Sequence, residues 1–483
     1  MAMKRARQAP SAPKRKSPEP ERRIDILGFD QQTTREIRLS RTTEYALYSD
    51  RYVDDWIAGW LATPRLSIES IPLGEMRRWR IEPGTGNIRH DSGMFFTVTG
   101  VKARHRTAAG ELKWDQPIID QPEIGILGIL VKRINGVLHF CLQAKEEPGN
   151  INSVQLSPTV QATYSNYTKA HGGSLPPLVE FFLNPPRDRV LFAKLQTEDG
   201  GRFLFKSNRN MIIQLADHEL RELPGEFIWL TLRQISNLIR RDNLIHACTR
   251  SILASLVLSR GVSGRRTNPS CRDTAAGLAE TIQWLDDQRS ANHILAKRVG
   301  LNTLKEWNLD GNGYFSHREG RFFRVIGINV SSAGREVPVW SQPILANPEC
   351  GIIGLLTKVH RGERHFLMQA KAEVGNRSIV QLAPTVQFTP GNYVGNEKLP
   401  KPFLFDEFSG DGRFPVLRQN YQAEEGARFF QETHLHRILQ LPEGVDLGLP
   451  PEFNWISETQ VRFFLHLGET INSCARSIIS CLL

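Results

Sequence analysis

The chain has 483 residues, of which 40% are hydrophobic, and carries a formal net charge of +10. This length predicts two or three domains with substantial cores. No apolar run reaches the roughly 18 residues of a membrane span, and the N-terminus has no apolar signal segment, so we expect neither membrane insertion nor secretion.

The charge predicts a basic N-terminal tail, and the cysteines point to a protein of the cytoplasm. Residues 1–23 hold eight Lys or Arg and two Glu, with much Pro and Ser, which predicts a disordered basic tail. Such a tail can touch nucleic acid or a membrane surface, but a solubilising extension is the favoured interpretation. The six cysteines are scattered without a Cys-x-x-Cys pair, which is typical of free thiols in a reducing compartment.

After the tail, residues 24–61 have the spacing of one or two amphipathic helices. A Trp, a Gly/Asn turn, a His and a Gly-x-Phe-Phe motif then precede alternating strands, and a helix closes the region. The same order repeats to the C-terminus. We therefore divide the chain into the tail 1–23, a first half 24–258, a linker 259–271 and a second half 272–483.

An internal repeat supports this division. WDQPIIDQPEIGILGILVK begins at Trp114 and WSQPILANPECGIIGLLTK at Trp340, so equivalent residues lie 226 positions apart. QAKEEPGNINSVQLSPTVQATYSNY from Gln143 and QAKAEVGNRSIVQLAPTVQFTPGNY from Gln369 keep this shift. A period this long indicates a duplicated domain, not a solenoid unit. Each half reads as helix, mixed sheet and helix, so the predicted fold class is α+β.

Two predicted strands of each half have a polar face that both copies preserve. In VLHFCLQAK, the alternation of side chains places Lys145 on one face of the strand and Leu142 and Ala144 on the other face. Because buried polar groups need partners, a ligand with hydroxyls and phosphates would suit these faces; a buried glutamine network joining sheets or subunits is the alternative. The candidate substrate-binding residues in these segments are Ser153, Gln155, Ser157, Thr159, Gln161, Lys371, Gln381, Thr385 and Gln387.

Loops and aromatic residues add further candidates. A glycine before each polar strand allows backbone N–H groups to approach an anion. An arginine in the second loop suits a diphosphate, where the first half has Ile151. Trp and Tyr rings could stack on a base or a sugar, although a Trp is more often part of a core. These candidates are Trp79, Gly149, Asn150, Trp307, Asn376, Arg377 and Tyr393.

In its duplicated W-x-Q-P, Q-A-K-x-E-x-G-N and V-Q-L-x-P-T-V-Q stretches, the chain resembles the NDP-hexose 2,3-dehydratase family of deoxysugar and antibiotic biosynthesis. The resemblance covers roughly residues 30–483. It implies two Nudix-like units per subunit, a homodimer, and action on dTDP-4-keto-6-deoxyglucose, with a 3-ketoreductase downstream. One unit would hold the active pocket while the other also binds nucleotide-sugar. The carboxylate box of true Nudix hydrolases is absent from both halves, so diphosphate hydrolysis is disfavoured.

The implied reaction eliminates water across carbons 2 and 3 of the sugar, and it requires neither a metal nor a redox cofactor. It needs a base, an enolate stabiliser and an acid. Lys145 is our candidate to stabilise the enolate or donate a proton, His90 the candidate base and Tyr167 the candidate acid. Alternatives stay open: Lys145 could form a salt bridge with Glu147, His90 could be structural, and Tyr167 could belong to the core.

We expect the first half to be catalytic, because it keeps more proton-transfer groups where the halves differ. Ser153, Ser157 and Tyr164 stand where the second half has Ile379, Ala383 and Pro390. Two other functions remain open at this point. One is a non-catalytic nucleotide- or nucleic-acid-binding module, and the other is a Nudix-type hydrolase with an unfamiliar metal site.

Overall fold

The computed structural model describes residues 28–107, 110–167, 175–257, 271–333, 337–396, 399–410 and 412–483. The predicted basic tail and residues 259–270 of the predicted linker lie outside these ranges. No helix among the described residues is long and apolar enough to cross a membrane.

Helices lie at both ends of each half, and short helices also lie between strands. The helix bounds are α1 Gln31–Thr42, α2 Asp50–Ala62, α3 Tyr164–Tyr167, α4 Glu180–Leu183, α5 Leu232–Leu238, α6 Ala247–Leu253, α7 Cys271–Ala291, α8 Phe405–Ser409, α9 Glu458–Leu467 and α10 Ser473–Ser480. The short helices between strands are α3, α4 and α8.

The strands of the first half are β1 Leu66–Ile71, β2 Trp79–Ile81, β3 Ile88–His90, β4 Thr97–Thr107, β5 Gly110–Asp120, β6 Gly125–Ile134, β7 Val137–Glu146, β8 Val154–Pro158, β9 Val160–Ala162, β10 Val190–Thr197, β11 Ser207–Gln214 and β12 Phe227–Leu230. Those of the second half are β13 His293–Val299, β14 Trp307–Leu309, β15 Phe315–His317, β16 Arg324–Ser332, β17 Val339–Ala346, β18 Gly351–His360, β19 Glu363–Ala372, β20 Val380–Ala383, β21 Val386–Phe388, β22 Val416–Ala423, β23 Phe429–Phe430, β24 Thr433–Gln440 and β25 Phe453–Ser457.

The two helices predicted before the first sheet are confirmed as α1 and α2. Asp30 and Ser49 cap them by accepting hydrogen bonds from Thr33 N and Tyr52 N. The prediction that a single helix closes each half is wrong, because the segment forms a strand followed by two helices: β12, α5 and α6 in the first half, and β25, α9 and α10 in the second. Thr231 starts α5 with a capping box, and the imidazole of His246 caps α6 separately.

Each half contributes one large mixed sheet, which confirms the α+β class and the duplication. In the first half the order is β10-β11-β6-β7-β12, with β8 on β7 and β9 on β6. In the second half it is β20-β19-β18-β24-β22, with β21 on β18 and β25 on β19. The pairs β11–β6 and β18–β24 are parallel, and the other pairs in these sheets are antiparallel.

Two smaller sheets exchange strands between the halves. Strand β1 of the first half pairs antiparallel with β16 of the second, with Ile68 opposite Val330. Reciprocally, β13 of the second half pairs with β4 of the first, with Ala296 opposite Ala103. Each half therefore completes a sheet of the other, and the backbone hydrogen bonds of these strands depend on both.

One core is shared by both large sheets and the helices α5, α6, α9 and α10. It combines buried residues such as Phe140 and Leu142 with Phe366 and Met368 of the second half. Burial of apolar area, worth about 25 cal/mol per Å², therefore stabilises the packing of the two halves on each other.

Two fully buried arginines cross this interface in opposite directions. Arg250 donates from Nε to Ser477 Oγ over 2.7 Å and from Nη2 to the Ala423 carbonyl over 2.7 Å. Its equivalent, Arg476, donates to Ser251 Oγ over 2.8 Å and also to the Thr197 carbonyl. Burial lowers the pKa of Arg476 to about 10, so the side chain remains charged at neutral pH. The halves are thus joined by buried charge-assisted hydrogen bonds.

Candidate functional site

Lys145 lies near the end of β7, between two acceptors. Its Nζ donates to Gln161 Oε1 over 2.7 Å and forms an ion pair with Glu147 Oε1 at 3.1 Å. The Lys145 side chain remains 24% exposed, whereas the Glu147 side chain is 4% exposed. The salt bridge considered from sequence is therefore present, and part of the lysine faces outward.

Glu147 is the buried centre of this arrangement. Its Oε2 accepts from His246 Nε2 over 2.9 Å and from the backbone N–H of Ala427 over 3.0 Å. Burial by itself would raise the pKa of Glu147, but the charge of Lys145 and the hydrogen bond from His246 outweigh it and hold that pKa well below its usual range. The carboxyl group is consequently ionised at neutral pH.

The second half completes this site. Gln161, whose Oε1 receives the lysine, donates from Nε2 to Glu425 Oε1 over 2.9 Å. We call Lys145, Glu147, Gln161, His246 and Glu425 the first polar cluster. Because Glu425 and the Ala427 amide belong to the second half, neither half contains the whole cluster.

Charged and hydroxyl groups lie along the segments that adjoin the first polar cluster. Ser165 Oγ donates to Glu123 Oε2 over 3.0 Å, and Lys206 Nζ donates to the Glu123 carbonyl. Burial lowers the pKa of Lys206 and raises that of Tyr167. Tyr167 sits in α3, directly after the strand that carries Gln161, with its ring 5.3 Å from that of Tyr164.

A second polar cluster occupies the equivalent place in the other half and consists of Lys371, Glu373, Gln387, Asn472 and Asp199. Lys371 Nζ lies 3.3 Å from Glu373 Oε1, which also accepts from Gln387 Nε2 over 3.2 Å. Asn472 Nδ2 donates to Gln387 Oε1 over 3.0 Å. Burial would lower the pKa of Lys371, but Glu373, followed by Cys474 and Asp199, raises it.

The clusters differ in the residues that can carry a proton. The pairs at the shift of 226 are His246 and Asn472, Glu425 and Asp199, Lys206 and Glu432, Ser165 and Gly391, and Asn208 and His434. The first cluster therefore has a histidine on its glutamate and a lysine nearby, where the second has an amide and a glutamate.

The threonines predicted to bind substrate have partners inside their own sheets. Thr159 Oγ1 donates to the Cys141 carbonyl over 2.5 Å and accepts from Leu130 N over 3.0 Å. Thr385 Oγ1 donates to the Leu367 carbonyl over 2.6 Å. These hydroxyls bridge gaps in the β-ladder, which accounts for their presence in both copies without a ligand.

Other members of the polar faces are fully buried. Gln155 and Ser157 are 0% exposed, and their side chains have no hydrogen-bond partner among the described residues. The equivalent Gln381 accepts from Thr197 Oγ1 over 2.9 Å and donates to the Glu469 carbonyl over 2.8 Å. Gln381 therefore links the two halves, because Thr197 belongs to the first half, whereas Gln155 makes no equivalent bond.

The predicted glycine loops dock on the opposite half. Gly149 N donates to the Gly426 carbonyl over 2.7 Å, and Gly375 N donates to the Gly200 carbonyl over 2.8 Å. Within these loops, Asn150 binds the carbonyls of Lys145 and Ser153, Asn376 binds Glu373, and the exposed Arg377 binds the Phe205 carbonyl.

His90 and the two tryptophans lie outside both clusters, in a core between the smaller sheets. The His90 ring is 5.4 Å from Trp79 and its Nδ1 is 2.7 Å from Ser92 Oγ. Trp79 and Trp307 are 8% and 4% exposed, which leaves little ring face for a ligand. Phe96 packs on Trp79, with ring centroids 5.0 Å apart, and the Arg428 guanidinium lies over the Phe96 ring, 4.3 Å from its centroid.

In the second half, Tyr393 packs edge-on against Phe388, with ring centroids 5.9 Å apart. Burial raises the pKa of Tyr393, while the charge of Lys371 opposes that rise. The tyrosine therefore lies within electrostatic reach of the lysine. The charged groups that act on Tyr167 are Arg209 and Glu123.

Sequence reasoning missed His246 and Glu425. The internal repeat could have identified His246, because the shift of 226 pairs it with Asn472 whereas it pairs Glu147 with Glu373. Glu425 gave no such signal. It enters the first polar cluster from the other half, through a fold contact that no local pattern encodes.

Comparison with known proteins gives a consistent result. The family model described as NDP-hexose 2,3-dehydratase matches residues 50–256 and 278–482, one segment in each half. A dTDP-4-dehydro-6-deoxy-alpha-D-glucopyranose 2,3-dehydratase of Saccharopolyspora spinosa is 37% identical over 88% of this chain and 90% of its own length. Proteins of the same description from Amycolatopsis orientalis and Streptomyces violaceoruber are 37% and 36% identical, each over 88% of this chain and over 89% and 95% of their own lengths. With both halves matched and the relatives covered almost end to end, the chain belongs to the NDP-hexose 2,3-dehydratase family.

Proposed function

We propose that the chain is a hydro-lyase that removes water across carbons 2 and 3 of dTDP-4-dehydro-6-deoxy-glucopyranose. The relatives carry this activity in their names. The observation that carries the proposal is Lys145, a partly exposed ammonium group held between Gln161 and the buried Glu147. A fixed cation of this kind suits an oxygen on which negative charge develops.

The reaction would proceed by enolate formation and loss of water, followed by tautomerisation of the product. A base takes the proton from carbon 3, and the electron pair moves into a carbon 3–carbon 4 double bond with negative charge on oxygen 4. That charge then returns to the carbonyl as the carbon 2–oxygen bond breaks, and an acid protonates the departing hydroxide to give water. The resulting enol takes a solvent proton at carbon 2 and releases the proton of its carbon 3 hydroxyl to solvent, which gives the 3,4-diketo-2,6-dideoxy sugar.

We assign these roles in the first half. Lys145 would hold oxygen 4 of the enolate, and Tyr167 would protonate the leaving group. His90 remains the proposed base, and its ring packs against Trp79 outside both polar clusters. Lys371 and its neighbours are proposed to bind a second nucleotide-sugar.

Several finer features remain part of the same proposal. We propose that each half is Nudix-like, that the protein forms a homodimer in the cytoplasm, and that a 3-ketoreductase consumes the product. The chemistry supports the last point, because a vicinal diketone is reactive and is best reduced soon after release.

The test is incubation with dTDP-4-keto-6-deoxyglucose, a 3-ketoreductase and NADPH in deuterated water. We expect NADPH consumption and a 2-deoxy sugar carrying one solvent deuterium at carbon 2. Absence of a 2-deoxy product while the reductase is demonstrably active would reject the proposal. Release of dTMP with magnesium would indicate hydrolysis of the diphosphate instead.

A further inference from the structure

We infer that His246 and Glu147 are positioning residues that hold Lys145 for the reaction, and that the exchange of this histidine for Asn472 removes the device from the second half. This inference rests on the proposed function. The inference adds roles for two buried side chains, His246 and Glu147, that take no part in the proposed bond-making and bond-breaking steps.

The His246 imidazole is fixed at both nitrogens. It is 0% exposed, and its Nδ1 accepts from Cys248 N over 3.2 Å at the start of α6. Nδ1 is therefore the unprotonated nitrogen, and Nε2 donates the proton that binds Glu147 Oε2. Because α6 packs in the shared core, the ring has no freedom to follow the carboxylate.

Glu147 divides its two oxygens between different tasks. Oε1 faces Lys145 at 3.1 Å, while Oε2 takes the two donors, His246 Nε2 and Ala427 N. With Oε2 anchored on two rigid groups, Oε1 is held in one direction. The lysine that meets it is oriented by a carboxylate that cannot rotate.

The second polar cluster has different connections. Asn472 is directed at Gln387, and Gln387 and Asn376 both donate to Glu373. Both polar atoms of the Gln387 amide therefore have partners other than the lysine, since Nε2 donates to Glu373 and Oε1 accepts from Asn472. Among the described residues Lys371 has Glu373 as its one hydrogen-bonding partner, at 3.3 Å.

In the first cluster the histidine supplies the donor that the carboxylate needs, so Gln161 is released to accept from the lysine. Lys145 consequently has two acceptors, Gln161 Oε1 and Glu147 Oε1, at 2.7 and 3.1 Å. Two acceptors fix the direction of an ammonium group, whereas one acceptor leaves it free to turn. The clusters therefore differ in how firmly the lysine side chain is held: Lys145 has one fixed orientation, and Lys371 does not.

The test compares full-length wild type with His246→Asn, which introduces the residue of the second half, and His246→Gln. A glutamine amide can reach the place of Nε2 and donate to Glu147, but the shorter asparagine cannot. We expect kcat of His246→Asn to fall by about 100-fold with KM within about twofold, and kcat of His246→Gln to recover most of the loss.

His436→Asn is the matched control. It removes a histidine that is 1% exposed and lies beside Cys481 in the core of the second half. Its kcat should stay at the wild-type value even where its melting temperature falls. If His246→Asn does not fold, Glu147→Gln and His246→Gln decide the matter, with a kcat loss expected for the first and near recovery for the second.

A readout without substrate separates this inference from the proposed function. Acetylation of individual lysines, followed by mass spectrometry, should become several-fold faster at Lys145 in His246→Asn and remain unchanged at Lys371. Unchanged labelling of Lys145 overturns the positioning role whatever the activity. If the wild type forms no 2-deoxy product but Lys145 is labelled faster in His246→Asn, only the proposed function is overturned.

Discussion

At the scale of single residues, Lys145 and Lys371 occupy equivalent places with different partners. We expect Lys145→Ala to lower kcat by about 10²- to 10³-fold, because the enolate loses its fixed cation. Lys371→Ala should cost less than about tenfold in kcat and act mainly on nucleotide-sugar binding. Steady-state kinetics of both variants, with melting temperatures as control, measure the difference. Equal losses at intact stability would contradict a single catalytic half.

Glu424 predicts a pH dependence of stability. Burial, opposed by Arg250 and aided by Asp199, raises its pKa from 4.5 to about 7. The folded state therefore binds an extra proton between these values. Its contribution to the free energy of unfolding is fully present below pH 4.5 and is lost as pH rises through about 7, by at most about 3 kcal/mol.

Glu424→Gln removes this titration, so its melting temperature should fall less than that of the wild type between about pH 5 and about pH 8. Thermal unfolding at both pH values measures the effect. The same decrease in both proteins would show that Glu424 is not responsible for it.

At the scale of elements, the loop between β7 and β8 and its equivalent between β19 and β20 bind the halves together by backbone contact. A Cβ on Gly149 would overlap the Phe429 carbonyl oxygen, and one on Gly375 would overlap the Phe203 carbonyl oxygen. These glycines therefore serve close packing between halves, in addition to any approach to an anion.

We expect Gly149→Ala and Gly375→Ala each to destabilise the fold by more than about 3 kcal/mol, because a backbone carbonyl must move. Gly59→Ala in α2 is the control: nothing lies within 4 Å of its added Cβ, and helix propensity predicts a gain of up to about 1 kcal/mol. Chemical denaturation compares the three. A mild effect at Gly149 would mean that the loop can withdraw from the other half.

At the scale of the whole molecule, the two halves form one folding unit. Strands β1 and β13 are exchanged, the core is continuous, and Arg250 and Arg476 find their acceptors across the interface. An isolated half would expose sheet edges, and its arginine would lose the carbonyl that it binds in the other half.

Co-expression of residues 1–264 and 265–483 should therefore yield a one-to-one complex with dehydratase activity. Either piece alone should lack a cooperative thermal transition. Copurification and calorimetry test this. An isolated half that unfolds cooperatively would show that strand exchange is not required for folding.

The sequence by itself determined the duplication, the α+β class, the helices before the first sheet and the polar faces that hold Lys145 and Lys371. These follow from period and repetition, which are local or copied properties. Only the tertiary structure decided that His246 and Ala427, 99 and 280 residues after Glu147, meet on its carboxylate. It also decided the strand exchange and the entry of Glu425 into the first polar cluster. Such contacts depend on how the two halves pack, and side-chain periodicity within one half carries no information about that packing.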